Sequence, residues 1–317
     1  MMVRMTRMGA SSATTASGSH CALCGRVADE DAAECVTCRR WHCSLHVYPC
    51  PVCGVMLCVH CIDDHDCCPI GEKLPRYLST PSRKFSYGVE IEVPGAHDQQ
   101  AIKSSRLIAG WCHENSLEFP GAGEYQTQPL TCPADTAELV ELVRGIEPRG
   151  GTISDAGGHI HVKRTKRQHA WLWLQALTAL YDWDECRAMN MRHQDDRENY
   201  YCKPTGCLEG KHVAVNDEHL STIELRTFGP WWRGTADKLA PAVGWLHAMW
   251  DWFEANAPES FGQYAGQWRK DCAERGFTDP GSPTISDLVP LDWLYSMKDA
   301  SRAAADAALG RAGYTGC

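Results

Sequence analysis

The chain has no apolar run long enough to cross a membrane. Its most apolar stretch, Ala170 to Trp183, is interrupted by Gln175, Thr178, Tyr181 and Asp182, short of the ~20 predominantly apolar residues a spanning helix needs. It has no excess of positive charge either. Thirty-one Lys and Arg against 40 Asp and Glu leave a net charge of −9, which argues against nucleic acid as a non-specific partner. A basic run, Lys163-Arg164-Thr165-Lys166-Arg167, reads as a solvated turn before a helix. The first residues, Met1 to Ser19, are rich in Ser, Thr and Ala but lack the apolar core of a secretory signal, so they read as a disordered leader and the protein as cytoplasmic. A glycine-rich phosphate loop is also missing. What is present is the composition of a globular protein, 44% hydrophobic and 22% charged over 317 residues, enough for about two domains.

Cysteine is plentiful but concentrated. Eleven of 18 lie between Cys21 and Cys68, with His42, His46, His60 and His65 among them, and the other seven are scattered singly. Without a secretion signal this favours thiolate–metal sites in a reducing compartment over disulfides. The candidate ligands are Cys21/Cys24, Cys35/Cys38, Cys43/His46, Cys50/Cys53 and Cys58/Cys61, followed by His65, Cys67 and Cys68. The segment Cys35-Val-Thr-Cys38-x4-Cys43-x2-His46 recurs 15 residues later as Cys50-Pro-Val-Cys53-x4-Cys58-x2-Cys61. A C-x2-C turn presents two thiolates to one Zn²⁺, and a second pair closes the tetrahedron. Residues 20–70 are therefore expected to hold two or three zinc ions.

This spacing resembles cross-brace fingers of the RING, PHD and B-box type, where alternate pairs share a metal. The resemblance implies Cys35/Cys38 with Cys50/Cys53 and Cys43/His46 with Cys58/Cys61, leaving Cys21/Cys24 to His65, Cys67 or Cys68. The expected role is structural, because ~50 residues are too few to bury a sufficient core. A closed four-ligand site leaves no position for catalysis, but the module could dock a protein partner.

From 71 to 83 the chain carries Pro75, Pro81 and Ser/Thr residues and reads as a linker. The second domain, 84–317, alternates strands and helices in an α+β pattern. Helices are expected from Pro133 to Arg144, His169 to Ala188 and Ala240 to Glu254, and a short one in the Ala-rich tail from Ser296 to Cys317. Three strand-like segments carry the chemistry: Tyr87-Gly-Val-Glu90-Ile-Glu92-Val93, Gly157-Gly-His159-Ile-His161-Val162, and Thr222-Ile-Glu224-Leu-Arg226. Strand side chains alternate with period 2. Each segment thus points a polar pair one way and Val89, Ile91, Val93, Ile160, Val162, Ile223 and Leu225 the other, as one sheet over a polar site would. Solvated faces, ordinary packing or a surface ion pair also produce such pairs one at a time.

In this order, the three motifs resemble the amidoligase family, carboxylate–amine ligases similar to glutamine synthetase and glutamate–cysteine ligase. Glu114-Asn115-Ser116-Leu117 and Glu124-x4-Pro129-Leu130 resemble two further family segments, and Arg192 with Arg197 and Tyr200-Tyr201 a third. Glu114-Asn115 stands where the family shows Asp-Gly. The resemblance spans Phe85 to Arg233 and implies a curved antiparallel sheet with ATP and an acid meeting on its concave face. It implies phosphorylation of a carboxylate by ATP and displacement of phosphate from the acyl phosphate by an amine. Glu90, Glu92, Glu124 and Glu224 would hold Mg²⁺, whose ligands are hard oxygens. His161 and His159 would reach a metal or phosphate, Lys163 a phosphate, and Arg226 and Arg192 the charge on the transferred group. Substrates would be small-molecule or peptide acids and amines. Two other readings compete: a non-enzymatic zinc-finger adaptor with a degenerate ligase scaffold, and a His-x-His metallohydrolase, which leaves Glu90, Glu92, Glu224 and Arg226 without roles.

Overall fold

Val89, Ile91, Val93, Ile160, Val162, Ile223 and Leu225 are all buried, and they line the apolar face of one sheet. The computed structural model describes residues 19–313 apart from 28, 51–55, 63–69, 82–83, 115, 118–120, 150–152, 154–155, 181–183, 193–201, 204–207, 209–211 and 258–289. The chain divides into two units, Met1–Cys68 and Pro69–Cys317.

In the first unit, β1 (Ala33–Glu34) pairs antiparallel with β2 (Trp41–His42), and β3 (Val47–Pro49) with β4 (Met56–Cys58). Its interior is made chiefly of thiols: Cys21, Cys35, Cys43, Cys50 and Cys58 are buried with Val47, Leu57 and His42.

The second unit is α+β. Its strands are β5 (Tyr87–Val93), β6 (Ile108–His113), β7 (Gly123–Thr127), β8 (Ile160–Lys163), β9 (Val215–Asn216) and β10 (Thr222–Leu225). They form a six-stranded antiparallel sheet in the order β6-β7-β5-β8-β10-β9. All three polar motifs thereby fall on neighbouring central strands, β5, β8 and β10. The described helices are α1 (Gln99–Lys103), α2 (Pro133–Arg144), α3 (Ala170–Thr178), α4 (Ala236–Asn256) and α5 (Leu291–Arg311). None is long and apolar enough to cross a membrane.

Pro133 opens α2 at a first-turn position, where its missing N–H would have had no partner anyway. The helix expected from His169 to Ala188 stops sooner: Leu180 N–H bonds Leu177 O at 2.9 Å, a tightening of the last turn, and a separate 3₁₀ turn covers Asp184–Met189. The Ala-rich tail forms a helix of 21 residues, α5. Its Leu294, Met297, Ser301, Ala305 and Ala308 recur at helical spacing and are buried. Ser301 Oγ accepts Trp245 Nε1–H at 3.2 Å and donates to Ala176 O at 2.9 Å, tying α5 to α4 and α3.

The segment read as a linker packs on the sheet. Lys73 exchanges both backbone hydrogen bonds with Trp111 on β6, at 2.8 and 3.0 Å, and the Gln128 side chain holds Leu78 N and Arg76 O at 2.9 and 3.0 Å. Gly110 permits this approach, since a Cβ there would lie 2.5 Å from Lys73 O. Residues 71–81 therefore belong to the second unit.

Candidate functional site

The β5–β8–β10 pairing sets the site. His161 and Glu224 are direct partners across β8 and β10, and Gly88 on β5 faces His161 from the other side. Glu90, one pleat along from Gly88, reaches both histidines: Oε2 lies 2.9 Å from His159 Nδ1 and Oε1 2.9 Å from His161 Nε2. His159 Nδ1 is also 3.3 Å from Glu224 Oε1. Glu224 receives Arg226 Nη1 at 2.5 Å and Asn216 Nδ2 at 3.0 Å, and His219 Nε2 lies 3.5 Å away. Glu224, His159 and Glu92 are only 3%, 7% and 8% exposed, so the polar face is no solvated surface.

The ionisation of these groups follows from their partners. Burial pushes the Glu90 carboxyl up, but His159 and His161 outweigh it and hold it well below the usual range. Burial likewise opposes ionisation of Glu224, yet His219, His159 and Arg226 keep it down at about 2. On β7, Glu124 stands directly opposite Glu92, with Glu114 just past β6. The carboxylate oxygens of these three lie within 4.8 Å of one another. Burial and the charges of Glu90, Glu114 and Glu92 push Glu124 up to about 9.

Two expected phosphate contacts are engaged elsewhere. The Lys163 ammonium donates to Thr80 Oγ1 at 3.3 Å and to the Pro81 carbonyl. Arg192 is buried, with Nη2 donating to Ala156 O at 3.2 Å and Nη1 to Cys202 Sγ at 3.9 Å. It braces the residue before Gly157, whose N–H in turn is accepted by Glu92. Three site residues were not singled out from the sequence: Glu114 as a ligand, Asn216 and His219. Glu114 was visible within a resemblance segment; His219 and Asn216 carry no spacing signal. Asn115, Arg197, Tyr200 and Tyr201 lie outside the described residues.

Among the described residues of the first unit, seven thiols and one imidazole gather into two sets of four: Cys21, Cys24, Cys43 and His46; and Cys35, Cys38, Cys58 and Cys61. Cys24 Sγ–Cys43 Sγ is 3.8 Å and Cys38 Sγ–Cys58 Sγ is 4.0 Å, while His46 Nδ1 lies 3.4 Å from both Cys21 and Cys43 Sγ. Two thiolates ~2.3 Å from a shared tetrahedral ion are about 3.8 Å apart. Both knuckles end on a left-handed residue, Gly25 (φ 70°) and Arg39 (φ 57°), whose N–H returns to the carbonyl of the first cysteine at 2.9 and 2.8 Å.

This pairing corrects the expected one. Pairs cross over as in a cross-brace, but the braced pairs are the first with the third, Cys21/Cys24 with Cys43/His46, and the second with the fifth, Cys35/Cys38 with Cys58/Cys61. Cys50 belongs to neither set. The β3–β4 ladder, with Val47 opposite Cys58, folds the chain back at Cys50 and returns Cys58 and Cys61 to Cys35 and Cys38. Cys53, His65, Cys67 and Cys68 lie outside the described residues.

No protein-family model matches this chain, and no curated protein does.

The donor sets nevertheless limit the chemistry. Burial raises the thiols, yet backbone N–H groups of Cys43, Cys24 and Leu23, with the His46 side chain, hold Cys21 at about 5. Burial together with Cys58 and Cys35 pushes Cys61 up to about 12. Such sets attract thiolates but repel their accumulation, and a divalent ion resolves the conflict. Opposed carboxylates at Glu92 and Glu124 pose the same problem with oxygen donors, which suit a hard cation such as Mg²⁺.

Proposed function

We propose that the second unit is an ATP- and Mg²⁺-dependent carboxylate–amine ligase, as its resemblance to amidoligases implies, and that the first is a structural module holding two or three Zn²⁺ ions. The observation that carries the ligase reading is the convergence of Glu90, Glu92, Glu124, Glu224, His159, His161 and Arg226 on one face of one sheet. A hydrolase built on His159 and His161 alone leaves these acids unused.

Glu92, Glu114 and Glu124 would hold the magnesium. When bound, it would neutralise phosphate oxygens and orient the transferred group. The protein's own part is positioning. Arg226, fixed by Glu224, offers a guanidinium to charge that grows on the phosphoryl group. Glu90 keeps both imidazoles oriented through its two oxygens. The acid and amine would be small molecules or peptides, and the reduced thiols accord with a cytoplasmic setting.

A second reading concerns recruitment. Leu23 and Leu45 occupy equivalent places in the Cys21/Cys24 and Cys43/His46 knuckles, and both are exposed. Apolar side chains displayed on a metal-fixed frame suit a protein partner, so the module could bring substrate to the ligase or serve as the adaptor itself.

Calorimetric titration of MgATP into the full chain, beside Glu224→Gln, tests the ligase. Saturable binding that the variant loses supports it. No binding by the folded protein removes the nucleotide site and leaves the adaptor reading. The chain must begin before Ile70, since Ile70 is buried in the second unit's core.

A further inference from the structure

We propose that residues 73–81 form the specificity wall of the site, with Tyr77 and Leu78 receiving the large apolar side chain of one of the two substrates. The inference rests on the ligase reading and names a substrate class: an amino acid or short peptide with an aromatic or branched aliphatic side chain, presented as the acid or as the amine.

The segment lies outside the stretch that resembles amidoligases, yet it crosses the same face of the sheet as the acids. Register shows this. Gly110 on β6 is the ladder partner of Gln126 on β7, and Gln126 is the partner of Glu90 on β5. Directly opposed residues share a face, so a side chain at Gly110 would point the way Glu90 does. Pro75 occupies that place, its N and Cα each 2.7 Å from where a Cβ would lie. Further along, Gln128 accepts Leu78 N–H at Oε1 and donates from Nε2 to Arg76 O, clamping the backbone on both sides of Tyr77. Lys163 on β8, one pleat beyond His161, holds the far end through Thr80 Oγ1 and the Pro81 carbonyl. With β7 and β5 lying between β6 and β8, the segment passes over both.

What it carries there is apolar. Among the described residues ten large apolar side chains are exposed, and Leu74, Tyr77 and Leu78 place three of them within five residues. Such side chains scattered singly need no explanation, but a cluster pinned beside a polar cleft marks a binding surface. Partial burial and then the charges of Glu90 and Glu124 push the Tyr77 phenol up, so the ring lies within the field of those acids. The floor beside it is open: at Gly88, the partner of His161, only Thr127 atoms come within 4 Å of a Cβ, the nearest at 3.7 Å. An apolar wall over a polar floor suits a ligand that is polar at its reacting end and apolar at the other.

The test uses the full chain with Mg²⁺ and calorimetric titration of four probes. N-acetylphenylalanine and N-acetylalanine present a carboxylate; phenylalanine amide and alanine amide present an amine. We expect one phenylalanyl probe to bind at least ~10-fold more tightly than its alanyl counterpart, the scale of one buried aromatic side chain, and the pair that shows the preference identifies the substrate as acid or amine. Tyr77→Ala, at an exposed position where the melting temperature should hold, should cut the preference below ~3-fold, and Tyr77→Phe should keep it. Leu291→Ser, equally exposed but on α5, should leave it unchanged. Failure of both phenylalanyl probes to bind, equal affinity for phenylalanyl and alanyl probes, or a preference that survives Tyr77→Ala overturns the wall. MgATP binding is scored separately: a side-chain preference without nucleotide binding rejects the ligase and keeps the wall, and nucleotide binding without the preference rejects the wall alone.

Discussion

Glu92 and Glu124 face each other directly across the β5–β7 ladder, two carboxylates where a sheet built for stability alone would place a neutral or opposite-charged pair. Burial and its acidic neighbours push Glu124 up to about 9, so near neutral pH it holds a proton that the unfolded chain gives up, at a cost in stability. Glu124→Gln should therefore raise the stability of the cation-free protein by about 1 kcal/mol and abolish MgATP binding, a gain in stability at the expense of function. Urea unfolding and calorimetry on the same preparation check both halves. A variant that is less stable and still binds MgATP would show that the opposed pair has no cation to hold.

Zinc content distinguishes the pairing found here from the repeat-based one. The wild-type chain should release at least two zinc ions to a chromogenic chelator after its thiols are modified, one from each described four-ligand set. Cys58→Ser should release one fewer. Adding Cys35→Ser to Cys58→Ser should cost no second ion, because both lie in one four-ligand set. Loss of two ions in the double variant, as the repeat-based pairing requires, would contradict this arrangement.

His97 gives the protein a pH-dependent weakness away from the site. Burial, with the Lys103 charge, holds its imidazole down at about 4, where Nε2 meets the Tyr125 hydroxyl and Nδ1 the Gly95 carbonyl, each at 2.6 Å. In the unfolded chain it titrates near 6.5. The unfolded state thus binds more protons between those values, and stability must fall as pH drops from about 6.5 towards 4. The loss from this residue should be on the order of 2–3 kcal/mol. Denaturant melts at pH 7.5 and 5 should show it, and His97→Gln should flatten the difference.

Gly158 leaves no room for a side chain. A Cβ would lie 2.0 Å from the Gly229 carbonyl and 2.7 Å from the Trp231 ring, and Trp231 Nε1 already donates to Gly158 O at 2.9 Å. Gly158→Ala should cost about 3 kcal/mol and displace His159. Gly310→Ala, in α5 with open space at the same atom, should be neutral or stabilising by up to about 1 kcal/mol. Thermal melts of the pair make the comparison; equal melting temperatures would refute the packing argument.

Much of the sheet was legible because alternation is a local property. Val89, Ile91 and Val93 had to face away from Glu90 and Glu92 whatever else the chain did. Pro133 announced α2, and the cysteine spacing announced metal knuckles. Register was not legible. Nothing in the spacing says that Glu124 meets Glu92, that His219 comes over His161, or that residues 71–81 pack on β6 and beside Gln128. The family resemblance implies phosphate contacts at Lys163 and Arg192, and only the fold shows that these side chains also donate to the Pro81 and Ala156 carbonyls.

By itself, then, the sequence determined which residue types share a face and which cysteines form two-ligand knuckles, since both depend on separations of two or three residues. Tertiary structure decided which strands are neighbours, which knuckles share an ion and which carboxylates oppose one another. Those choices depend on hairpin register and the burial of α3 and α4 against the sheet and of α5 against those helices, energies summed over residues far apart in the chain.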